Sequence, residues 1–376
     1  MTWSLRVARV RGIDIRVHAT FLLVVTYFVI AGYRHGPIGA AFGGALVVLI
    51  FASVTLHELG HSLVAQALGV PVREIVLLPI GGVARLGREP RTPLHELLIA
   101  VAGPAVNVLL AVGLAALGVS VFGPAWLTEL ELLEAMEGQP SASGLVANLL
   151  VSNVLLGVFN MLPALPMDGG RVFRATLAMF TTRERATNVA ATVGQVLAAS
   201  MGIFALLKGN FVLALIGGFV FLAAGQERYA VNSRVVLQHL RAGEVVNPNA
   251  VVLEPSHLLG DVLDWVLQTG QSHFAVIAGG RLLGVASRDG VLAAVRRTGL
   301  GAPVTQALEP VPVVPAQLTL EELRAALVET GASAVAVEDA DGFAGLVTAD
   351  DLARVASVAT ALERMGIRRE LPPPRA

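Results

Sequence analysis

The chain of 376 residues contains no cysteine and one lysine, Lys208. Without cysteine there are no disulfides, no thiolate metal ligands and no cysteine nucleophile. A transition-metal site would have to draw on histidine and carboxylate. Charge is scarce as well: 15% of residues are charged against 55% hydrophobic, and the mean hydropathy is +0.70. Ordinary soluble domains have about 25% charged residues, so this is an integral membrane protein. The formal net charge of −1 leaves no broad basic face for a nucleic-acid partner. The length gives room for a membrane domain and one further domain.

Arg6, Arg9, Arg11 and Arg16 precede an apolar stretch too long for a cleavable signal, and no small-residue cleavage site follows. Residues 5–10 and 13–17 read as two short strands with Gly12 in the turn. Six segments are apolar enough to span, near 18–33, 39–68, 94–120, 144–165, 188–207 and 211–227. Their flanks differ in charge. With the N-terminus inside, the inner flanks carry Arg6, Arg9, Arg11, Arg16, Arg73, Arg85, Arg88, Arg91, Arg171, Arg174, Arg183 and Arg185. The outer loops carry Arg34 and Lys208, and the loop at 121–143 has only acidic charge, at Glu129, Glu131, Glu134 and Glu137. By the positive-inside rule both ends face the cytoplasm.

Composition shifts after Glu227-Arg228. Residues 244–357 read as a soluble α/β unit in which one order of elements occurs twice. The first copy has a strand near Val251–Leu253, a helix over Leu258–Thr269, a strand Phe274–Ile277, a Gly279-Gly280 turn and a strand Leu283–Ser287. The second has Val313–Pro315, a helix Leu320–Thr330, Ala334–Val337, an Asp341-Gly342 turn and Ala344–Thr348. The division is a membrane domain over 1–230, a linker over 231–243, repeats over 244–300 and 301–360, and a disordered tail over 361–376. The architecture is therefore a polytopic α-helical membrane domain with short β segments, followed by a tandem α/β domain.

The chemistry concentrates at His57-Glu58-Leu59-Gly60-His61. Residues i and i+4 share a helix face, so both histidines can reach one metal, with Glu58 beside its water. The flanking runs Gly36–Leu56 and Ser62–Val72 contain no charged residue. Ionisable groups at membrane depth are costly and mark function. Two histidines leave zinc short of a third protein ligand. Asp168 is a candidate, lying after Pro163 and Pro166 and before Gly169-Gly170. Taken alone it reads rather as a turn residue at the interface, before two glycines.

The H-E-x-x-H motif together with Asn160, Pro163, Pro166, Asp168, Gly169 and Gly170 resembles the site-2 protease family of intramembrane zinc metalloproteases. The resemblance covers about residues 1–230. It implies zinc on His57, His61 and Asp168, with Glu58 as the base. It implies cleavage of a single-span membrane protein in the lipid bilayer of a bacterial inner membrane. Gly103-Pro104-Ala105-Val106-Asn107 resembles the family's G-P-x-x-N segment, which makes Asn107 or Asn160 a donor to an oxyanion. For Asn107 a helix–helix hydrogen bond is the other reading. Pro79–Ala84 resembles a strand of the family whose edge, around Gly81 and Gly82, pairs with unwound substrate; an ordinary hairpin is the other reading.

The C-terminal repeat resembles a CBS-domain pair, which implies regulation by ATP, ADP or AMP. The usual Ser/Thr-x-x-Asp is present at Thr348 and Asp351. The first repeat has Ser287 and Asp289, but Gly290 stands at the aspartate position. A pair that serves homodimer formation is the other reading. The rival from another class is a CBS-gated transporter or channel without proteolytic activity, which leaves the two motifs unexplained.

Overall fold

The computed structural model describes residues 3–364, apart from 80, 88–89, 91, 129–132, 134–135, 137–139 and 248. Ile80, the four loop glutamates and the tail from 365 therefore lie outside the described residues. The chain forms two compact units, Met1–Arg228 and Tyr229–Ala376.

In the first unit, β1 (Ser4–Val10) and β2 (Ile13–His18) pair antiparallel. Arg11 and Gly12 between them have φ of 46° and 86°, the positive pair that a tight hairpin turn uses. β2 pairs parallel with β3 (Val72–Leu78), and β3 antiparallel with β4 (Gly81–Leu86). The order is β1-β2-β3-β4, so β4 is an edge. Alternation on β2 and β3 turns Ile13, Ile15, Ile75 and Leu77 inward, onto Leu59, Ala65 and Ile99.

Between β2 and β3 run α1 (Phe21–Gly32) and α2 (Gly36–Ala67), joined by one 3-10 turn at Tyr33–His35. α1 is shorter than the span expected over 18–33. His18 closes β2 and its Nδ1 meets Thr20 Oγ1 at 2.8 Å, so the helix starts late and is 12 residues long. That is about 18 Å at 1.5 Å per residue. After β4 come α3 (Pro93–Phe122), α4 (Ala142–Asn160), α5 (Asp168–Ala178), α6 (Arg183–Leu207) and α7 (Phe211–His239). Among the described residues, 5 helical stretches are long and apolar enough to cross a membrane, with α1 and α2 joined as one of them. Leu22, Ile30, Leu109, Val112, Leu207 and Leu215 point outward and are exposed, as a lipid-facing surface requires.

The segment expected over 144–165 also divides differently. α4 ends at Asn160, where Pro163 and Pro166 withhold the next backbone donors. Asp168 then opens a separate helix, α5. An aspartate in a first turn suits the partial positive charge there.

The second unit repeats one plan. β5 (Val252–Leu253), α8 (Leu259–Thr269), β6 (His273–Ala278), β7 (Arg281–Ser287) and α9 (Arg288–Thr298) form the first copy. After β8 (Leu308–Glu309), the second copy is β9 (Val313–Pro315), α10 (Leu320–Thr330), β10 (Ala334–Asp339), β11 (Gly342–Thr348) and α11 (Ala349–Arg364). Val252 pairs with Ala275 as Val313 pairs with Ala336. Both hairpins carry a register shift at the same place, Val276/Ile277 and Val337/Glu338. Each copy has its own core, one around Leu259, Val262, Phe274 and Val276 and one around Leu320, Leu323, Val335 and Val337. α11 continues through 361–364, the first residues of the expected disordered tail.

Candidate metal centre

α2 sets His57 and His61 one turn apart on its buried face. Their rings stand edge to face at 85°, with the Nε2 atoms 3.1 Å apart. Asp168, the first residue of α5, brings Oδ2 to 3.1 Å from each Nε2. All three residues are buried, and together they form a set able to hold a metal ion.

The back of each ring is held from α3. His57 Nδ1 donates to Asn107 Oδ1 at 2.7 Å, and His61 Nδ1 donates to the Ile99 carbonyl at 2.6 Å. These bonds keep the ring protons on Nδ1. Both Nε2 lone pairs and a carboxylate oxygen are then aimed at one point. Three acceptors this close repel one another unless a cation lies among them. Zinc held tetrahedrally at about 2.0–2.1 Å sets its donors about 3.3 Å apart, near the observed spacing. Glycine keeps that point open. A Cβ on Gly103 would collide with His61 Nε2 and lie 2.7 Å from His57 Nε2.

Glu58 is turned under the edge of the sheet. A Cβ on Gly82 would lie 2.5 Å from Glu58 Cγ and 3.2 Å from its carboxyl carbon. Only glycine lets β4 pass this close, so Gly82 lies against the motif's glutamate, while a Cβ on Gly81 would meet nothing within 4 Å.

Asn107 stands behind the first histidine of the motif. It is 1% exposed, its Oδ1 takes the His57 proton, and its Nδ2 donates to the Asn153 carbonyl at 3.4 Å. One of its two amide N–H groups is thus directed at α4. Asn160 ends α4 half-buried, and among the described residues its side chain makes no hydrogen bond. Asn153 extends the network, donating to Ser53 Oγ at 3.2 Å and to the Leu149 carbonyl at 2.9 Å. Its signal in the sequence is an asparagine within an apolar helix.

In the second unit Thr348 and Asp351 meet. Asp351 Oδ2 accepts from Thr348 Oγ1 at 2.7 Å and from Thr348 N at 3.0 Å, and the same carboxylate pairs with Arg354. Ser287 and Asp289 do not meet. Asp289 is exposed and pairs with Arg288 at 3.3 Å. Two residues past Ser287 and one before the motif's aspartate position, its side chain leaves on a different side of the helix. The carboxylate on Ser287 comes instead from Glu309, whose Oε1 accepts from Ser287 Oγ at 2.8 Å while Oε2 accepts from Ser333 at 3.2 Å. Glu309 has no local signal, since it lies 22 residues away on β8.

Residues 45–204 match the model of peptidase family M50, and residues 305–365 match that of the CBS domain. The zinc metalloprotease MJ0392 of Methanocaldococcus jannaschii is 36% identical over 284 residues, 76% of this chain and 78% of that one. Rip3 of Mycobacterium tuberculosis is 31% identical over 391 aligned positions, covering 94% of this chain and 93% of that one. Among solved structures, the site-2 protease from Methanocaldococcus jannaschii aligns at 36% identity over 60% of this chain and 95% of that one, with a TM-score of 0.43. Sequence kinship over most of both chains, joined to an H-E-x-x-H helix with a convergent aspartate, gives one conclusion: the chain belongs to the M50 family, the site-2 zinc metalloproteases, and carries a CBS domain after its membrane helices.

Proposed function

We propose that the chain cuts single-span membrane proteins within the bilayer, with His57, His61 and Asp168 holding zinc and Glu58 serving as the base. The observation that carries this is the convergence of three acceptor atoms, each 3.1 Å from the next, on one buried point. Zinc bound there supplies a Lewis acid that polarises water and the scissile carbonyl. Glu58 takes the proton of the attacking water as the C–O bond forms, and passes it to the leaving nitrogen as the C–N bond then breaks. Asn107 and the Ile99 carbonyl hold the two imidazoles in the tautomer that leaves Nε2 free. Asn160 is the side chain assigned to the developing oxyanion.

Attack requires extended backbone, so the substrate helix must unwind. The edge of β4 at Gly81 and Gly82 offers main-chain groups for it, next to Glu58. The arginine-rich flanks support a reading with both chain ends on the cytoplasmic side of a bacterial plasma membrane. The C-terminal pair regulates cleavage, with an adenine nucleotide on Thr348 and Asp351, and joins two chains.

The test is the zinc content of the full-length protein after purification in zinc-supplemented buffer. We expect about one ion per chain, consistent with the single site a three-ligand set forms, and its loss in His57→Ala. Metal-free wild type overturns the assignment. Calorimetric titration of the full chain with ATP, ADP and AMP tests the regulatory part. Heat in the wild type that is lost in Asp351→Ala supports it; no heat with any nucleotide leaves dimer formation as the unit's role.

A further inference from the structure

The centre is assembled from two halves. α2 and α3 hold the histidines, while α5 alone carries Asp168. The distance between the halves depends on how α5 sits against α3, and an ion pair lies at that junction. Arg174 of α5 is 4% exposed and Glu96 of α3 is 3% exposed. Arg174 donates to Glu96 Oε1 through Nε at 2.8 Å and through Nη2 at 2.5 Å. Its Nη1 donates to Glu227 Oε1 of α7 at 2.6 Å. Arg183 approaches the other oxygen of Glu96 at 3.5 Å.

The spacing on each helix ties this pair to the centre. Glu96, Ile99, Gly103 and Asn107 recur at three- and four-residue steps and form one buried stripe of α3. Ile99, Gly103 and Asn107 are the residues that hold, or make room for, the two imidazoles. On α5, Asp168, Arg171 and Arg174 likewise share a face, and Asp168 and Arg174 are buried. Stripe faces stripe, with Arg174 meeting Glu96 at one end and Asp168 meeting the histidines at the other.

Apolar packing around Phe173 and Ala175 holds the other side of α5. At the junction lies a cavity of about 240 Å³, lined among others by Glu96, Leu165, Pro166, Arg171 and Arg174. A buried ion pair gains little stability over apolar residues of the same shape, and the best-attested use of one is to specify register. We infer that Arg174 is a positioning residue for the metal centre, its fork on Glu96 and Glu227 setting where α5 presents Asp168 to His57 and His61. This rests on the ligand assignment proposed above.

The test is made on full-length protein loaded with zinc or with cobalt. The double variant Arg174→Gln with Glu96→Gln removes the pair and leaves no orphaned buried charge. Metal release to a chelator should speed up by about 10- to 100-fold, the usual effect of losing support behind a ligand. The cobalt absorption bands should shift, and kcat should fall with KM unchanged. Glu227→Gln, which removes one arm, should show the same changes more weakly, and it serves as the second variant should the double variant not fold. Wild-type release rate and cobalt bands in a folded variant overturn the inference. If His57→Ala also keeps its metal, the ligand assignment has failed; if His57→Ala loses metal while the double variant does not, only the role of Arg174 has.

Discussion

Polar side chains obey different rules in the two units. In the membrane unit His57, His61, Asn107, Asn153 and Asp168 come from four helices, and the His57–Asp168 contact closes over 111 residues of chain. Every one of them is buried. In the C-terminal unit many polar pairs are local and partly wet: Thr348 with Asp351 and Thr319 with Glu322, each pair within one helical turn. Water explains the contrast. Where it is absent, a polar group must find a protein partner at any distance, and the partners hold one another in place. Where it is present, a hydroxyl need only cap its own helix.

If that contrast is right, single substitutions should differ in scale between the units. The largest effect is expected at Glu58→Gln, which keeps the size of the side chain but cannot take a proton. Cleavage of a co-expressed substrate should fall by about 10²- to 10⁴-fold, with metal content unchanged. Retained cleavage would remove Glu58 from its role. Next is Asn107→Leu, which leaves the His57 Nδ1 proton without an acceptor. A loss of about 10- to 100-fold in metal affinity, read by competition with a chelator, is expected; an unchanged affinity would reduce Asn107 to helix packing.

The C-terminal unit should respond weakly. Thr319 caps α10, its Oγ1 accepting from Glu322 N at 3.3 Å. Thr319→Ala should cost about 1 kcal/mol in unfolding of that unit, with cleavage unaffected. The smallest effect is one of pH. The side-chain and backbone hydrogen bonds from Thr319 hold the Glu322 carboxyl below its usual range. The unfolded chain therefore binds the proton more readily. This stabilisation is present above the ordinary glutamate value of about 4.3 and is lost as pH falls through the lower folded value. Melting followed from neutral to acid pH should show a shallower acid-side decline in Glu322→Gln.

The same contrast decides what was legible in the chain. His57 and His61 could be paired from spacing alone, because one helix fixes their geometry. Both strands before α1 and the twofold repeat were legible for a similar reason, since alternation and turn residues are local. Asp168 became a ligand candidate of weight only through the resemblance, and its place at the start of α5 was hidden by the apolar residues before it. Nothing near Asn107 tells whether its amide meets a substrate or a histidine 50 residues away. Arg174 and Glu96 are 78 residues apart, and each alone reads as a charge flanking a span. Glu309 restored a carboxylate to Ser287 from another strand, so counting along one motif could not find it.

The substrate role proposed for the edge of β4 would have a consequence for selectivity. Main-chain N–H and C=O groups are the same in every peptide, so a segment added to this edge is held without regard to its side chains. Discrimination must then come earlier, from how readily a membrane helix gives up its own hydrogen bonds. Helices weakened by glycine, proline or β-branched residues near the cytoplasmic face would be the first to yield, whatever their names or functions.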